Sequence, residues 1–141
     1  MVKQGTIIKI NFNPQAGHEQ AGFRPAVVIS NDIFNQKTKL SIVCPITNTN
    51  NHFPLHITLD KRTKTTGVIL CEHIKALDLN SRTYQVIEQL PKDLLDNVID
   101  VVYSEIEQVN EWWKVKPTWY LMTSVRLVIF FLSKLQKAPT K

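Results

Sequence analysis

The residues best suited to chemistry lie in one short block, Gly17–Ser30, which reads GHEQAGFRPAVVIS. Glu19 belongs to a polar segment rich in turn formers, whereas Arg24 is followed directly by Pro25 and an apolar, β-branched run. Pro25 restricts the backbone of Arg24 to extended geometry, so the block predicts a guanidinium fixed at the edge of a core beside a carboxylate on a movable loop. A guanidinium offers a planar fork of donors that matches phosphate oxygens, which favours an anionic ligand. An ordinary surface ion pair between Arg24 and Glu19 is the alternative interpretation.

Thr47 ends a second apolar run, LSIVCPIT, which opens into the polar stretch NTNNH. Small hydroxyl side chains at strand ends can hydrogen-bond a ligand, although Thr is also a common turn former. Cys71 and His73 lie two residues apart on a predicted strand, but no third group at a recognisable spacing supports a Cys/His nucleophile. The cysteines and histidines also lack the paired spacing of a structural zinc site, so no metal is predicted.

The elements that must position these residues are mostly short strands. Apolar and polar residues alternate in Gly5–Phe12, with Ile8, Ile10 and Phe12 on one face, as in a half-buried strand. Similar runs separated by turns at regular intervals predict a small β-barrel. The other predicted strands are Pro25–Ser30, Leu40–Thr47, Phe53–Leu59, Val68–Leu77 and Tyr84–Leu90, joined by a loop over Asn13–Gly22, a polar connection over Asn31–Lys39 and an exposed turn over Asp60–Gly67.

The period of the apolar residues changes after Leu90. Pro91 suits a first helical position, and Asp93 suits the first turn. Apolar residues then recur at spacings of three and four, which predicts an amphipathic helix that packs on the barrel; they are Leu94, Leu95, Val98, Val101, Val102 and Ile106.

The net charge of +5 is unevenly distributed. Residues 1–82 hold ten Lys/Arg against five Asp/Glu, residues 83–108 hold one against six, and residues 109–141 hold six against one. The basic front indicates nucleic-acid binding better than the average charge does, because phosphate binding needs a local basic surface.

The sequence predicts a domain over residues 1–108 and a C-terminal extension over residues 109–141, which holds all three Trp. Arg126 interrupts the uncharged stretch of the extension, so no stable membrane insertion is expected. Two cysteines are too few for a disulfide framework, and the N-terminal apolar run is too short for a signal peptide, so a cytoplasmic location is expected.

Three segments resemble the MazF/PemK family of toxin endoribonucleases: GTIIKINFNPQAGHEQAGFRPAVVISND, VCPITNTNNHFPLHITL and TGVILCEHIKALDLNSR. The resemblance implies an SH3-like barrel with a C-terminal helix, a homodimer, and cleavage of single-stranded RNA without metal or cofactor, leaving a 2′,3′-cyclic phosphate and a 5′-hydroxyl. It makes Arg24 and Thr47 the catalytic pair. It makes Glu19 a functional loop residue, which acts either as general base or by positioning the loop. His73 departs from the family pattern, in which a glutamine is usual.

Sequence-specific contacts to unpaired bases are expected from groove residues that stack on them or hydrogen-bond them. The candidates are His18, Phe23, Phe53, His73 and the basic turn residues Lys61, Arg62 and Lys64. The resemblance also implies an acidic antitoxin whose disordered tail folds into the RNA groove. Two other hypotheses stay open: a non-enzymatic gyrase poison of the CcdB type on the same barrel, and a basic adaptor tethered to membrane or nucleic acid by residues 109–141.

Overall fold

The computed structural model describes residues 1–14, 16–19 and 21–107, and these form an antiparallel sheet followed by a C-terminal helix. The prediction of a mainly β chain that ends in a helix is therefore confirmed. The predicted extension over 109–141 lies outside the described residues, so the division at residue 108 stays a prediction. The strands are β1 Thr6–Asn11, β2 Phe23–Val28, β3 Ser41–Thr47, β4 His56–Thr58, β5 Val68–Leu70, β6 Lys75–Leu77 and β7 Tyr84–Gln89; the helices are α1 Asp32–Thr38 and α2 Lys92–Ile106.

Strand β3 organises the sheet. It pairs with β2 along one edge, and with both β5 and β6 along the other. The complete strand order is β4-β5-β3-β2-β1-β7, with β6 as a branch on β3. Between the described residues this strand pairing is an open path from β4 to β7, and these two end strands do not pair with each other.

The two faces of the sheet bury two different apolar clusters. Alternation along β1 sends Ile7 to one face and Ile8, Ile10 and Phe12 to the other, as the sequence predicted. Helix α2 covers the first face, where its buried residues pack on strand residues. These helix residues are Leu94, Leu95, Val98, Val101 and Val102.

The predicted polar connection over Asn31–Lys39 is wrong, because the segment contains helix α1. The Asn31 side chain caps the helix by accepting a hydrogen bond from the Phe34 amide at 2.8 Å, and Lys39 ends it in a left-handed conformation. Only Asn35 of this helix is buried. Helix α1 has no stripe of apolar residues at spacings of three and four. The sequence therefore lacked the pattern from which a helix is predicted.

The predicted continuous strand over Val68–Leu77 is also wrong. Val43 pairs with Lys75 and Ile46 pairs with Ile69, so three steps along β3 correspond to six along its partner. The three extra residues form a short 3₁₀ turn, Cys71–His73, between β5 and β6. This turn changes the direction in which Glu72 and His73 project.

Two apolar residues at the ends of predicted elements, Phe53 and Ile106, are exposed. The predicted strand Phe53–Leu59 is reduced to β4, and the Phe53 side chain is 45% exposed with its ring 5.6 Å from that of His56. Ile106 ends helix α2 and is 74% exposed, because it lies beyond the last turn that contacts the sheet. Pro91 is the N-cap of the helix and not its first residue.

Candidate active site

Arg24 and Thr47 meet at one end of the sheet. Ala26 of β2 pairs with Pro45 of β3, and the same antiparallel register continued by two residues brings Arg24 opposite Thr47. Both side chains line one open cleft with a volume of about 390 Å³. Its lining residues are Arg24, Thr47, Thr49, Asn51, His56, Leu70, Glu72 and His73. We refer to this site as the Arg24–Thr47 cleft.

Arg24 is fixed by the strands around it. It pairs with Ile10 of β1, and its Nε donates a hydrogen bond of 2.8 Å to the carbonyl oxygen of Ala21. The side chain is half-buried, as expected for a guanidinium at the edge of the core. One edge of the guanidinium is therefore used for positioning, and the arginine enters the cleft in a defined orientation.

Thr47 is fixed through both its side chain and its backbone. Its Oγ1 accepts a hydrogen bond of 3.2 Å from the amide of Thr49, which turns the chain away from the sheet. On the other side Thr47 pairs with Val68 of β5, and Gly67 packs directly against the Thr47 backbone. The hydroxyl keeps its own proton available for a ligand, since Oγ1 is the acceptor in its bond to Thr49.

Glu19 lies beside the cleft. Its carboxylate forms an ion pair of 2.7 Å with Lys75 Nζ, and the two line a neighbouring pocket of about 240 Å³. Glu72 and His73 line both pockets and so form the wall between them. The hydrogen bond from Lys75 holds the pKa of Glu19 below its usual value, which weakens this carboxylate as a base.

The sequence did not predict that the acidic residue Glu72 and the basic residue His56 would lie together in the cleft. His56 Nε2 lies 2.7 Å from Glu72 Oε1, and the His56 side chain is only 6% exposed. The same Glu72 oxygen lies 3.8 Å from His73 Nε2. His56 and Glu72 are sixteen residues apart on β4 and the 3₁₀ turn, so no local spacing could have indicated the pair.

The proposed RNA contacts fall into two groups. His18 is exposed on the loop before β2, and Phe23, which is 53% exposed, has its ring 5.4 Å from Lys9 Nζ. His73 is part of the cleft itself. The basic turn lies outside the cleft lining. It is joined to the cleft by a hydrogen bond of 2.9 Å from Thr66 Oγ1 to Oδ1 of Asn48, the residue after Thr47.

Within the basic turn the three basic residues differ. Arg62 is committed to two carboxylates, with bonds of 2.7 Å to Asp60 and 2.8 Å to Asp93 at the start of α2. Lys61 and Lys64 are exposed. The predicted basic surface is therefore carried mainly by the two lysines, while Arg62 joins the turn to the helix.

The structure agrees with rejection of a cysteine nucleophile. Cys44 and Cys71 are buried free thiols, and a hydrogen bond between them together with burial raises the pKa of Cys71. Among the described residues no three His, Cys, Asp or Glu side chains are grouped so as to hold a metal ion. None of the helices in the described part of the chain is long and apolar enough to span a membrane.

Comparisons with known proteins agree with this fold. Residues 3–104 match the family model described as PemK-like, MazF-like toxin of type II toxin-antitoxin system. The endoribonuclease PemK of Escherichia coli is 30% identical over 102 residues, which covers 70% of this chain and 77% of PemK. A crystal structure of MazF from Deinococcus radiodurans superposes with a TM-score of 0.70 at 36% identity, over 74% of this chain and 96% of that one. A MazE-MazF crystal structure from the same organism superposes with a TM-score of 0.65 at 36% identity, over 74% of this chain and 95% of that one. The chain therefore belongs to the PemK-like, MazF-like family of toxins of type II toxin-antitoxin systems.

Proposed function

We propose that this protein is a toxin that cleaves single-stranded RNA by a metal-independent reaction at short sequence motifs. The observation that carries the proposal is the position of Arg24 opposite Thr47 in one open cleft. Its relative PemK is an endoribonuclease, which supports the same activity here. The nucleophile is the substrate's own ribose 2′-hydroxyl, so neither a protein nucleophile nor a metal-bound water is needed.

The two residues have complementary roles in this reaction. Attack of the 2′-oxygen on phosphorus forms a phosphorane that carries more negative charge than the ground state. Arg24 stabilises this charge with the fork of its guanidinium, and the Thr47 hydroxyl donates a hydrogen bond to a phosphate oxygen. The products are a 2′,3′-cyclic phosphate and a 5′-hydroxyl. Glu19 completes the proposed site as a loop carboxylate beside the cleft.

RNA is bound by surfaces on both sides of the cleft. Phe23 offers an exposed ring on which an unpaired base can stack, and His18 and His73 offer hydrogen bonds. Lys61 and Lys64 supply positive charge for the RNA backbone, with Arg62 holding their turn in place. These contacts favour an unstructured strand, because base stacking on protein requires unpaired bases.

The partners follow from the family and from the surface. A type II toxin has an antitoxin, which we propose is acidic and occupies the RNA groove in competition with substrate. Strand β7 ends the sheet path and exposes Val86 and Ile87, which are 57% and 37% accessible. Apolar side chains on such an outer strand support the proposed homodimer. We place the protein in the cytoplasm, where its two free thiols stay reduced.

The test is 5′-end mapping of a long RNA incubated with the purified protein in EDTA. Cleavage at one motif with 5′-hydroxyl ends is the expected result. Arg24→Ala should reduce the rate by roughly 10²–10³-fold or more, since it removes the main stabiliser of the phosphorane. Lys37→Ala removes the same charge from helix α1, outside the cleft lining, and should leave the rate unchanged. Full activity in Arg24→Ala would contradict the proposal, and gyrase inhibition without RNA cleavage would establish the CcdB-type function instead.

A further inference from the structure

Three titratable side chains form one connected wall of the Arg24–Thr47 cleft. Glu72 stands in the middle, with one carboxylate oxygen 2.7 Å from His56 Nε2 and 3.8 Å from His73 Nε2. His56 is on β4, whereas Glu72 and His73 are consecutive residues of the 3₁₀ turn. The reaction proposed above gives His56 and Glu72 no role and gives His73 only a contact to RNA.

The burial of this group has a cost that its packing does not explain. His56 Nδ1 and Glu72 Oε2 are both buried and have no hydrogen-bond partner within residues 1–14, 16–19 and 21–107. Unsatisfied buried polar atoms are rare in folded proteins, and an ion pair between a buried His and a partly buried Glu is a poor way to stabilise a core. Such a pair is expected where the orientation of a neighbouring group matters more than stability. The neighbouring group here is His73, which is more exposed, at 24%, and faces both pockets.

The proposed reaction lacks a well-suited base. The 2′-hydroxyl must lose its proton as it attacks, and Arg24 cannot accept one. The ion pair with Lys75 lowers the pKa of Glu19, so this carboxylate is poorly matched to proton transfer near neutral pH. An imidazole titrates between about pH 5 and 8, the range in which a general base is most effective.

On the basis of the proposed function, we propose that His73 is the general base of the reaction and that Glu72 and His56 are its positioning residues. Neutral His73 takes the proton of the ribose 2′-hydroxyl while the 2′-oxygen forms a bond to phosphorus. The bond between phosphorus and the 5′-oxygen breaks, and the leaving oxygen takes a proton from water. The imidazolium of His73 then returns its proton to the hydroxide that is left. Glu72 stabilises the imidazolium formed on His73, and the hydrogen bond from His56 fixes the carboxylate in the direction that this requires.

Other charged groups also surround His73. Arg24 on β2 shares the cleft with it, and Lys75 of β6 and Glu19 of the preceding loop share the neighbouring pocket. The Lys75–Glu19 ion pair leaves little net charge on that side. Glu19 also interacts electrostatically with His73, and Glu105 of helix α2, which packs on the 3₁₀ turn, interacts electrostatically with Glu72.

The experiment measures single-turnover cleavage of a short RNA containing the mapped motif, in EDTA, from pH 5 to pH 9. We expect the rate of the unaltered protein to rise with pH through the range in which imidazoles titrate. His73→Gln keeps a polar side chain of similar reach but cannot transfer a proton, so the rise should disappear and the plateau should fall by roughly 10²-fold. His52→Asn is the matched control, because His52 is exposed, has a left-handed backbone that Asn tolerates, and is not part of the cleft.

The positioning residues are tested by paired substitutions. Glu72→Gln keeps the shape of the side chain but removes its charge, so the plateau of the cleavage rate should fall. His56→Gln retains a donor at the position of Nε2 and should keep the profile, whereas His56→Leu should lower the plateau with little change in KM. A merely structural role for His56 would lower thermal stability in both variants without separating their pH profiles.

The possible failures are distinct. If the unaltered protein does not cleave RNA, both the proposed function and this inference are overturned. If it cleaves RNA but the folded His73→Gln protein keeps the same rise with pH, the proposed function survives and His73 is not the base. An unchanged profile in folded Glu72→Gln would overturn the positioning role.

Discussion

A Cβ atom at Gly67 would lie 2.2 Å from the carbonyl oxygen of Thr47. No side chain can be accommodated at that separation, and the atom approached is backbone. The φ of Gly67 is +112°, which L-residues rarely adopt. Thr47 therefore occupies its position in the cleft partly because Gly67, the residue just before β5 that packs against its backbone, has no side chain.

Substitution of this glycine should affect both folding and activity. Gly67→Ala should lower the free energy of unfolding by about 1–3 kcal/mol or more from backbone strain, with the contact to Thr47 adding to the loss. Displacement of Thr47 should also reduce RNA cleavage. Urea denaturation measures the first effect. Gly17→Ala is the control for stability, because Gly17 also has positive φ but no atom of the described residues lies within 4 Å of the added Cβ. Equal stability of the two variants would contradict the role of the close approach.

The hydroxyl of Thr47 can be tested apart from its bulk. Thr47→Ser keeps the donor and should retain most of the cleavage rate. Thr47→Val keeps the shape but removes the hydroxyl, and should reduce the rate by roughly 10²–10³-fold, as loss of one transition-state donor does. Single-turnover rates on the mapped RNA distinguish the two. Thr58→Val, on the exposed face of β4 outside the cleft lining, should have no effect.

The bridge from Arg62 to Asp60 and Asp93 should make stability depend on acid pH. Hydrogen bonds from Arg62 lower the pKa of Asp60 to about 2 and hold that of Asp93 below its usual value. A carboxylate with a lowered pKa adds stability above its ordinary pKa of about 3.8 and loses it as the pH falls towards 2. Arg62→Gln should therefore lower Tm slightly at pH 7 and much less at pH 2. The groups are exposed, so high salt should reduce the difference.

Thermal melts at both pH values check this, with Lys61→Gln as the control from the same turn. Lys61 is adjacent to Arg62 but makes no ion pair with Asp93. A deficit in Arg62→Gln that persists unchanged at pH 2 would mean that its origin is packing and not charge.

The two ends of helix α2 should respond differently to truncation. Leu94 is 8% exposed in the core beneath the sheet, so Leu94→Ala should lower the free energy of unfolding by about 2–5 kcal/mol. Ile106 is 74% exposed, so Ile106→Ala should change it by no more than about 0.5 kcal/mol. Urea denaturation of both variants tests this. A large decrease in the free energy of unfolding of Ile106→Ala would show that the Ile106 side chain is buried in solution.

The sequence alone determined the parts of the protein that depend on short-range patterns. Alternation of apolar residues indicated β1 and its buried face, and the three- and four-residue spacing after Leu90 indicated α2. The block around Arg24 and the end of the run at Thr47 indicated two residues suited to an anionic ligand, because a rigid strand and its end can be recognised within a few residues. Only the resemblance to the MazF/PemK family joined them as a pair.

The tertiary structure decided which of the remaining side chains share the cleft. Glu72 faces His56 only because a three-residue turn interrupts the strand after Leu70, and that turn results from how two separate segments pair with β3. Glu19 pairs with Lys75 and Arg62 pairs with Asp93 across 56 and 31 residues of sequence. Contacts of this kind depend on strand register and loop path. Strand register and loop path are properties of the whole sheet, and they cannot be predicted from local residue patterns.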